Sequence, residues 1–279
     1  MLRVAIQGIA GCYHETAAVR YFDGEPVEPV CCSSFEKLFG SLAEDMSLLG
    51  IVAIENTIAG SLLQNYELLR RSDLSIIGEY KLRISHVLAA LPGERIETLK
   101  EVNSHPIALM QCENFLKSRP HLKIVETSDT AESARDIAEG RLAGHAAVCS
   151  EQAANIYGLE ILERGIETNK HNLTRFLVVA DRSNERSSTR GRKIDKASLV
   201  FTLPHTQGSL SKVLTILSFY DVNLTKIQSM PIIGREWEYR FYVDVAFDDP
   251  VRYRQSIEAV RPLLNDFRSL GEYESFPDR

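Results

Sequence analysis

Two short stretches combine residue types that can do chemistry with a placement that makes them usable. The first is His171-Asn172-Leu173-Thr174-Arg175-Phe176, running directly into Leu177-Val178-Val179. An amide, a neutral hydroxyl and a permanent cation stand at the entry to an apolar run of the kind that forms a buried strand. Buried strands do not ordinarily open on three hydrogen-bonding side chains. The residues read either as a strand entry with Asn172 in a turn and Arg175 solvated, or as the rim of a site that converges on an anionic ligand. The second stretch is Ile54-Glu55-Asn56-Thr57-Ile58-Ala59-Gly60-Ser61. There an apolar strand again ends abruptly in hydrogen-bonding groups and small residues, which favours the site reading.

Strands and helices must position these groups. Val4 to Gly8 is a short apolar run ending in glycine, followed by a helical stretch through Ala17, Ala18 and Phe22. Val27 to Cys32 reads as a second strand, and Ser33 caps a helix carrying Phe35, Leu38 and Leu42. Gly50 to Glu55 is an almost wholly apolar third strand, of the sort covered on both faces in a parallel sheet, and Gly60 to Leu69 is its following helix. This alternation predicts an α/β fold with an open, doubly wound sheet. Such sheets bind ligands at the carboxyl ends of their strands, where Gly8 to Gly11 and Glu55 to Thr57 both lie.

Leu74 to Leu91 is apolar without helical period and reads as a crossing segment into a second lobe, at about 78–168. In that lobe Ser104 reads as an N-cap with Pro106 in the first turn. The helix behind it sets Ser104, Ile107, Ala108 and Gln111 along one side. Strands at Ile124-Val125 and Ala146 to Cys149 alternate with helices at Thr130 to Gly140 and Glu151 to Tyr157, and Thr174 to Ala180 returns to the first lobe. Two lobes joined by crossing segments imply a cleft that closes and excludes water.

Residues 182–195 are polar and Ser/Arg-rich and read as a linker. From 196 to 279 the pattern resets to β-α-β-β-α-β, a ferredoxin-like order. Its elements are a strand at Ala197 to Leu203, a helix opened by Gly208-Ser209-Leu210 that carries Val213, Leu217 and Phe219, and strands at Asn223 to Ile233 and Trp237 to Phe247. A helix at Val251 to Phe267 and a strand at Leu270 to Phe276 complete it. A module this small has a small core, so self-association as a dimer or tetramer is expected.

Composition removes several function classes. With 44% hydrophobic and 25% charged residues, the chain of 279 is that of an ordinary globular protein. A formal net charge of -6 gives no general attraction to nucleic acid or anionic membrane, so an anionic substrate needs a local cation or helix N-termini. No run approaches the ~18 apolar residues of a membrane span. Met1 to Ile6 enters a strand at once, and the expectation is a cytoplasmic protein. The five cysteines include no C-x-x-C pair and read as reduced, and the seven histidines include no H-x-x-x-H pair; no metal site and no cofactor are expected.

Taken in order, the motifs resemble those of the prephenate dehydratase family in its form without a fused mutase, followed by an ACT regulatory domain. Gly11-Cys12-Tyr13-His14-Glu15-Thr16-Ala17-Ala18 resembles the family's first Gly-Thr-Phe/Tyr-Ser motif, and Ala53-Ile54-Glu55-Asn56-Thr57 with Gly60-Ser61 its Pro-Ile-Glu-Asn-Ser/Thr element. Ser104-His105-Pro106 with Ala108-Leu109 and Gln111-Cys112 resembles its Ser-His-Pro helix, and Thr174-Arg175-Phe176 its Thr-Arg-Phe signature. Gly208-Ser209-Leu210 and Asn223 to Pro231 resemble the ligand-binding turns of its ACT domain. Each motif alone is weak, but five in sequence with consistent spacing match strongly. Cys12 and His14 stand where the family has small hydroxyl residues, Ile107 where it commonly has Gln, and Gln228 and Met230 where it usually has Glu and Arg.

The resemblance implies a two-lobed catalytic domain of periplasmic-binding-protein type II shape at 1–181 and an ACT domain at 196–279. It implies decarboxylative dehydration of prephenate to phenylpyruvate, without a cofactor. A neutral hydroxyl suits the acid role because an ionised carboxylate has no proton to give, which points to Thr174. Asn56 and Glu55 are its expected companions in catalysis, and Thr57, Ser104, Gln111, Arg175 and Phe176 the expected substrate-binding residues. L-phenylalanine is the expected effector, held by Gly208, Ser209, Leu210, Asn223, Leu224, Gln228 and Ser229. The competing readings are an arogenate dehydratase, which differs only in accepting an amine, and a non-catalytic sensor of an aromatic acid. An ACT-containing transcription factor lacks support, for the chain has neither a helix-turn-helix segment nor a basic face.

Overall fold

Strand β1 (Leu2–Gln7) buries Val4, Ala5 and Ile6 completely and runs parallel to β2 (Val27–Cys32) and β3 (Leu49–Asn56). Helices α1 (Tyr13–Tyr21) and α2 (Phe35–Glu44) make the connections, and α2 is capped by Ser34 rather than Ser33, its side chain accepting from Lys37 N at 3.3 Å. The run Gly50 to Ile54 is buried without a break, as a strand covered on both faces requires. The computed structural model describes residues 1–184 and 191–276. It divides into two compact units, Met1–Leu62 with Tyr80–Phe176, and Leu63–Glu79 with Leu177–Arg279.

After β3 the chain does not enter a helix at Gly60. It turns back as the two-residue strand β4 (Gly60–Ser61), antiparallel to β3, and helix α3 (Leu63–Arg71) begins only beyond it. The cause is local: Asn56 Oδ1 accepts from the backbone N–H groups of Ile58 (2.9 Å) and Ala59 (2.8 Å), closing an Asx turn that competes with helix. The apolar segment Leu74 to Leu91 is likewise two strands, β5 (Leu74–Arg83) and β6 (Val87–Ala90), broken at Ser85-His86. That break explains its lack of helical period.

A second sheet in the first unit has the order β10-β6-β9-β7-β8. It contains β6, β7 (Glu101–Ser104), β8 (Lys123–Glu126), β9 (His145–Cys149) and β10 (Glu160–Arg164). β7 lies parallel to β8 and β9, whereas β6 runs antiparallel to β9 and β10, so the sheet is mixed. Helices α4 (Pro106–Gln111), α5 (Glu113–Lys117), α6 (Thr130–Gly140) and α7 (Glu151–Ile156) complete this part around a core of Leu88, Val102, Leu109, Cys112 and Val148. The first sheet has the order β2-β1-β3-β11-β5, with β11 spanning Leu173–Asp181.

In the second unit, β12 (Lys196–Thr202), β13 (Asn223–Pro231), β14 (Tyr239–Ala246) and β15 (Asn265–Tyr273) form an antiparallel sheet of order β13-β14-β12-β15. Helices α8 (Ser209–Phe219) and α9 (Pro250–Val260) lie between these strands in the chain, and the core includes Leu199, Phe201, Val213, Leu217 and Val243. Phe219 ends α8 and is 77% exposed. α9 stops at Val260 rather than continuing to Phe267. Pro262 has no N–H to continue the ladder, and the chain passes through a 3-10 turn at Arg261–Leu263 into β15, five residues before the expected strand start at Leu270. Among the described residues no helix is long and apolar enough to cross a membrane, and the five cysteines form no disulfide.

The second unit also buries a charge pair. Lys196 Nζ reaches both oxygens of Glu79 at 2.8 and 2.9 Å, and Glu79 Oε1 takes the N–H of Phe276 at 3.0 Å. Removing one partner leaves the other charged and buried, which costs about 3–5 kcal/mol. Lys196→Met is therefore expected to lower unfolding stability in urea by that amount, with part of the loss recovered in Glu79→Gln/Lys196→Met.

Candidate functional site

The first unit holds a cavity of about 330 Å³. Asn56, at the end of β3, organises one wall. Its Oδ1 is occupied by the two N–H groups of the Asx turn, which turns Nδ2 toward the start of β11. Nδ2 donates to Asn172 Oδ1 at 2.8 Å and to Thr174 Oγ1 at 2.9 Å, with Leu173 O at 3.2 Å. Thr174 lines the cavity, and its oxygen is used as an acceptor. A hydroxyl carries one hydrogen, so that hydrogen remains for a ligand.

Strand alternation decides the fate of the neighbouring residues. Thr174 and Phe176 share the face that lines the cavity; Arg175 points to the other face, where its NH1 lies 4.0 Å from Glu55 Oε2. Neither Arg175 nor Glu55 is among the residues that line the cavity. Thr57 is also absent from the lining. It ties the loop before β11 in place: its N–H donates to Leu173 O (2.9 Å), its hydroxyl donates to His171 O (3.1 Å), and its oxygen accepts from Leu173 N (3.0 Å).

Ser104 is completely buried at the end of β7 and donates to Val148 O at 2.5 Å. The N-cap of α4 is His105, whose Nδ1 accepts from Ile107 N at 3.3 Å. Ser104 therefore pins β7 to β9 and does not reach the cavity. Gln111 does. Its Oε1 lies 2.8 Å from His86 Nε2, while His86 Nδ1 lies 2.8 Å from the Tyr13 hydroxyl, itself 2.9 Å from Ser85 O. Burial lowers the pKa of His86, so the neutral ring donates from Nε2 to Gln111 Oε1, and the single hydrogen of the Tyr13 hydroxyl is shared between His86 Nδ1 and Ser85 O. Burial likewise holds the Tyr13 hydroxyl well above its ordinary value. With Oε1 engaged, the amide nitrogen of Gln111 has no protein partner among the described residues.

The two departures in the first motif have visible consequences. Cys12 is buried, its thiol pushed up to about 12, chiefly by desolvation, and Sγ lies 3.5 Å from Gln7 O, so it is no nucleophile. His14 lines the cavity, packed edge-on against Phe35 and Phe176 at centroid distances of 5.6 and 5.1 Å. Among the described residues its buried Nε2 has no partner, and desolvation lowers its pKa to about 4. Asn172 Nδ2 is likewise buried without a partner among them. Gly11 carries the motif past α7 at close range: a Cβ there would lie 2.6 Å from Ala153 Cα, and its φ is +88°.

Sequence reasoning left Tyr13, His86 and Asp129 without a role. His86 sits at the break between two apolar runs. Asp129, before the α6 pattern, carries the signature of an N-cap, which is what it is, and that signature hides its second face. Of the expected effector residues, Gly208, Ser209 and Leu210 line a cavity of about 230 Å³ in the second unit together with Trp237 and Tyr239. Asn223, Leu224, Gln228 and Ser229 lie on β13 outside that lining, and the Gln228 amide donates to Ser229 O at 3.0 Å.

With this geometry in hand, comparison with known proteins is specific. The family model described as prephenate dehydratase matches residues 4–184. A chloroplastic arogenate dehydratase/prephenate dehydratase of Arabidopsis thaliana is 39% identical over 283 residues, covering 98% of this chain and 72% of that protein. Among solved structures, a prephenate dehydratase from Arthrobacter aurescens in complex with L-Phe has a TM-score of 0.84 at 24% identity, covering 98% of this chain and 90% of that one. A structure described as a quorum-quenching acylase has a TM-score of 0.84 at 27% identity, covering 99% and 98%.

The buried His14 makes a testable contribution to pH dependence. Unfolded, the ring takes a proton below about 6.5; folded, only near 4. Its contribution to stability is therefore full above pH 6.5 and is lost as pH falls toward 4, up to about 3 kcal/mol. Urea unfolding at pH 7 and pH 4.5 is expected to show a smaller loss on acidification for His14→Phe than for the wild-type chain.

Proposed function

The chain belongs to the prephenate dehydratase family, and from that membership we propose that it is a dehydratase acting on prephenate, on arogenate, or on both. The reaction takes up one proton, releases water and carbon dioxide, and leaves an aromatic ring, so prephenate gives phenylpyruvate. Aromatisation supplies the driving force. The protein has to hold the substrate and protonate the departing hydroxide.

The arrangement of Asn56 and Thr174 carries this reading. Asn56 Nδ2 donates to Thr174 Oγ1, and the hydroxyl hydrogen faces the cavity as the proton source. As that proton leaves, negative charge develops on Oγ1, and the same Asn56 N–H stabilises it. Thr174 is the catalytic residue and Asn56 its partner. Glu55 and Arg175 act by bracing the opposite face of β11, and Thr57 by clamping the loop before it. Gln111, oriented by His86, offers its amide nitrogen to a substrate carboxylate, and Phe176 with His14 forms the wall against the ring.

The wider organisation belongs to the same reading. Residues 1–181 form a catalytic domain of periplasmic-binding-protein type II shape. Of the linker at 182–195, residues 185–190 lie outside the described residues. Residues 196–279 form a ferredoxin-like ACT domain that binds L-phenylalanine at Gly208 to Leu210 and self-associates. The element order from β12 to β15 supports that assignment, as does the ligand named for the Arthrobacter protein.

Turnover of prephenate and arogenate by the full chain tests the activity. Thr174→Ala, folded by circular dichroism, is expected to lose at least ~10²-fold in kcat, with Thr174→Ser retaining much of it. Binding of the substrates without turnover would favour the sensor reading, and cleavage of an acylated amide in place of dehydration would overturn the assignment. Calorimetry with L-phenylalanine is expected to give saturable binding; an absence of heat would sink the effector role and leave the enzyme reading intact.

A further inference from the structure

The charge that lines the cavity has the wrong sign for a dianion. Among the described residues of the lining, Asp129 is the single carboxylate, and no lysine or arginine accompanies it. The one arginine near the site, Arg175, is turned to the other face of β11 toward Glu55. Tyr13, Cys12 and His14 are held neutral by burial and offer Asp129 no counter-charge.

The two oxygens of Asp129 have different employment. Oδ1 caps α6, accepting from Ala131 N at 2.7 Å and Glu132 N at 3.0 Å. Oδ2 has no hydrogen bond or ion pair among the described residues. Gly8 stands beside it with φ +111°, where a Cβ would approach Oδ2 to 3.6 Å and Cys12 Sγ to 3.1 Å. The result is a half-buried acid on the cavity wall, with one oxygen committed to the helix and the other without a partner among the described residues.

Resting on the dehydratase reading, we propose that Asp129 is a specificity-determining residue that selects the substrate carrying an ammonium group, arogenate, over its keto counterpart, prephenate. The two molecules differ at that one position of the side chain. An ammonium finds an acceptor with full negative charge in Oδ2, whereas the keto group of prephenate brings only a carbonyl oxygen, itself an acceptor, toward the same charge. Gln111 and Thr174, the donors assigned to the substrate above, are neutral and common to both substrates.

The test is kcat/KM for both substrates with the wild-type chain, Asp129→Asn and Asp129→Ser. Asn and Ser are N-cap residues as effective as Asp, so α6 is preserved. The wild type is expected to prefer arogenate. In both variants arogenate kcat/KM falls and prephenate kcat/KM rises, shifting their ratio by about 10- to 100-fold, the size of a hydrogen bond to a charged group. Equal losses on both substrates would overturn the proposal, leaving Asp129 as a helix cap alone. A folded wild-type chain inert toward both would sink the dehydratase reading itself, a different result from an active enzyme whose preference does not move.

Discussion

The site depends on a single side-chain amide that is saturated on one side and aimed on the other. Asn56 Oδ1 spends both its acceptances on the turn after β3, and this leaves Nδ2 no choice but to face β11. Residues 116 and 118 positions away in the chain, Asn172 and Thr174, are thereby held against the end of β3. Asn56 is their shared partner, so the turn, the loop before β11 and the hydroxyl of Thr174 form one unit that stands or falls together. Thr57 repeats the device with its hydroxyl and N–H, clamping the same loop from outside the cavity.

Around this junction the protein keeps the cavity poor in charge. Desolvation holds Tyr13 and Cys12 protonated and His14 and His86 unprotonated, so the hydrogen-bonding groups on these walls are neutral. In such surroundings a hydroxyl proton is available without the cost of burying an ammonium or imidazolium, and the field of one unpaired carboxylate is weakly screened. The second unit treats charge differently. Its acids are partnered: buried Glu79 with Lys196, and half-buried Glu67 with Arg70 and the Tyr242 hydroxyl, which pull the Glu67 pKa down to about 2. Those pairs serve packing, where an unpaired charge would be destabilising.

Much of this architecture is legible in one dimension. Apolar runs located β1, β2, β3 and β11, and the β-α-β-β-α-β order of the second unit is readable from alternation and helix period. The Thr-Arg-Phe and Glu-Asn-Thr stretches stand out in the sequence as polar strand ends, and the structure joins them through Asn56 and Thr174. The errors share a cause, which is competition between local signals. The Asx turn of Asn56 displaced a helix start by three residues, Pro262 ended a helix whose apolar pattern continued, and Ser104 fitted a cap consensus while its hydroxyl was taken by Val148.

What the sequence by itself determined is therefore the kind of protein and the residue types at its strand ends, because hydrophobic periodicity and turn chemistry are properties of a few consecutive residues. What only the tertiary structure decided is which of those side chains meet. Alternation along β11 is readable, but the face that closes a cavity is set by packing. That is why Thr174 and Phe176 line it while Arg175 pairs with Glu55. The same holds for His86 with Gln111, and for an N-cap whose second oxygen lacks a partner among the described residues. Each is a contact or an absence between residues distant in the chain, and no local pattern encodes it.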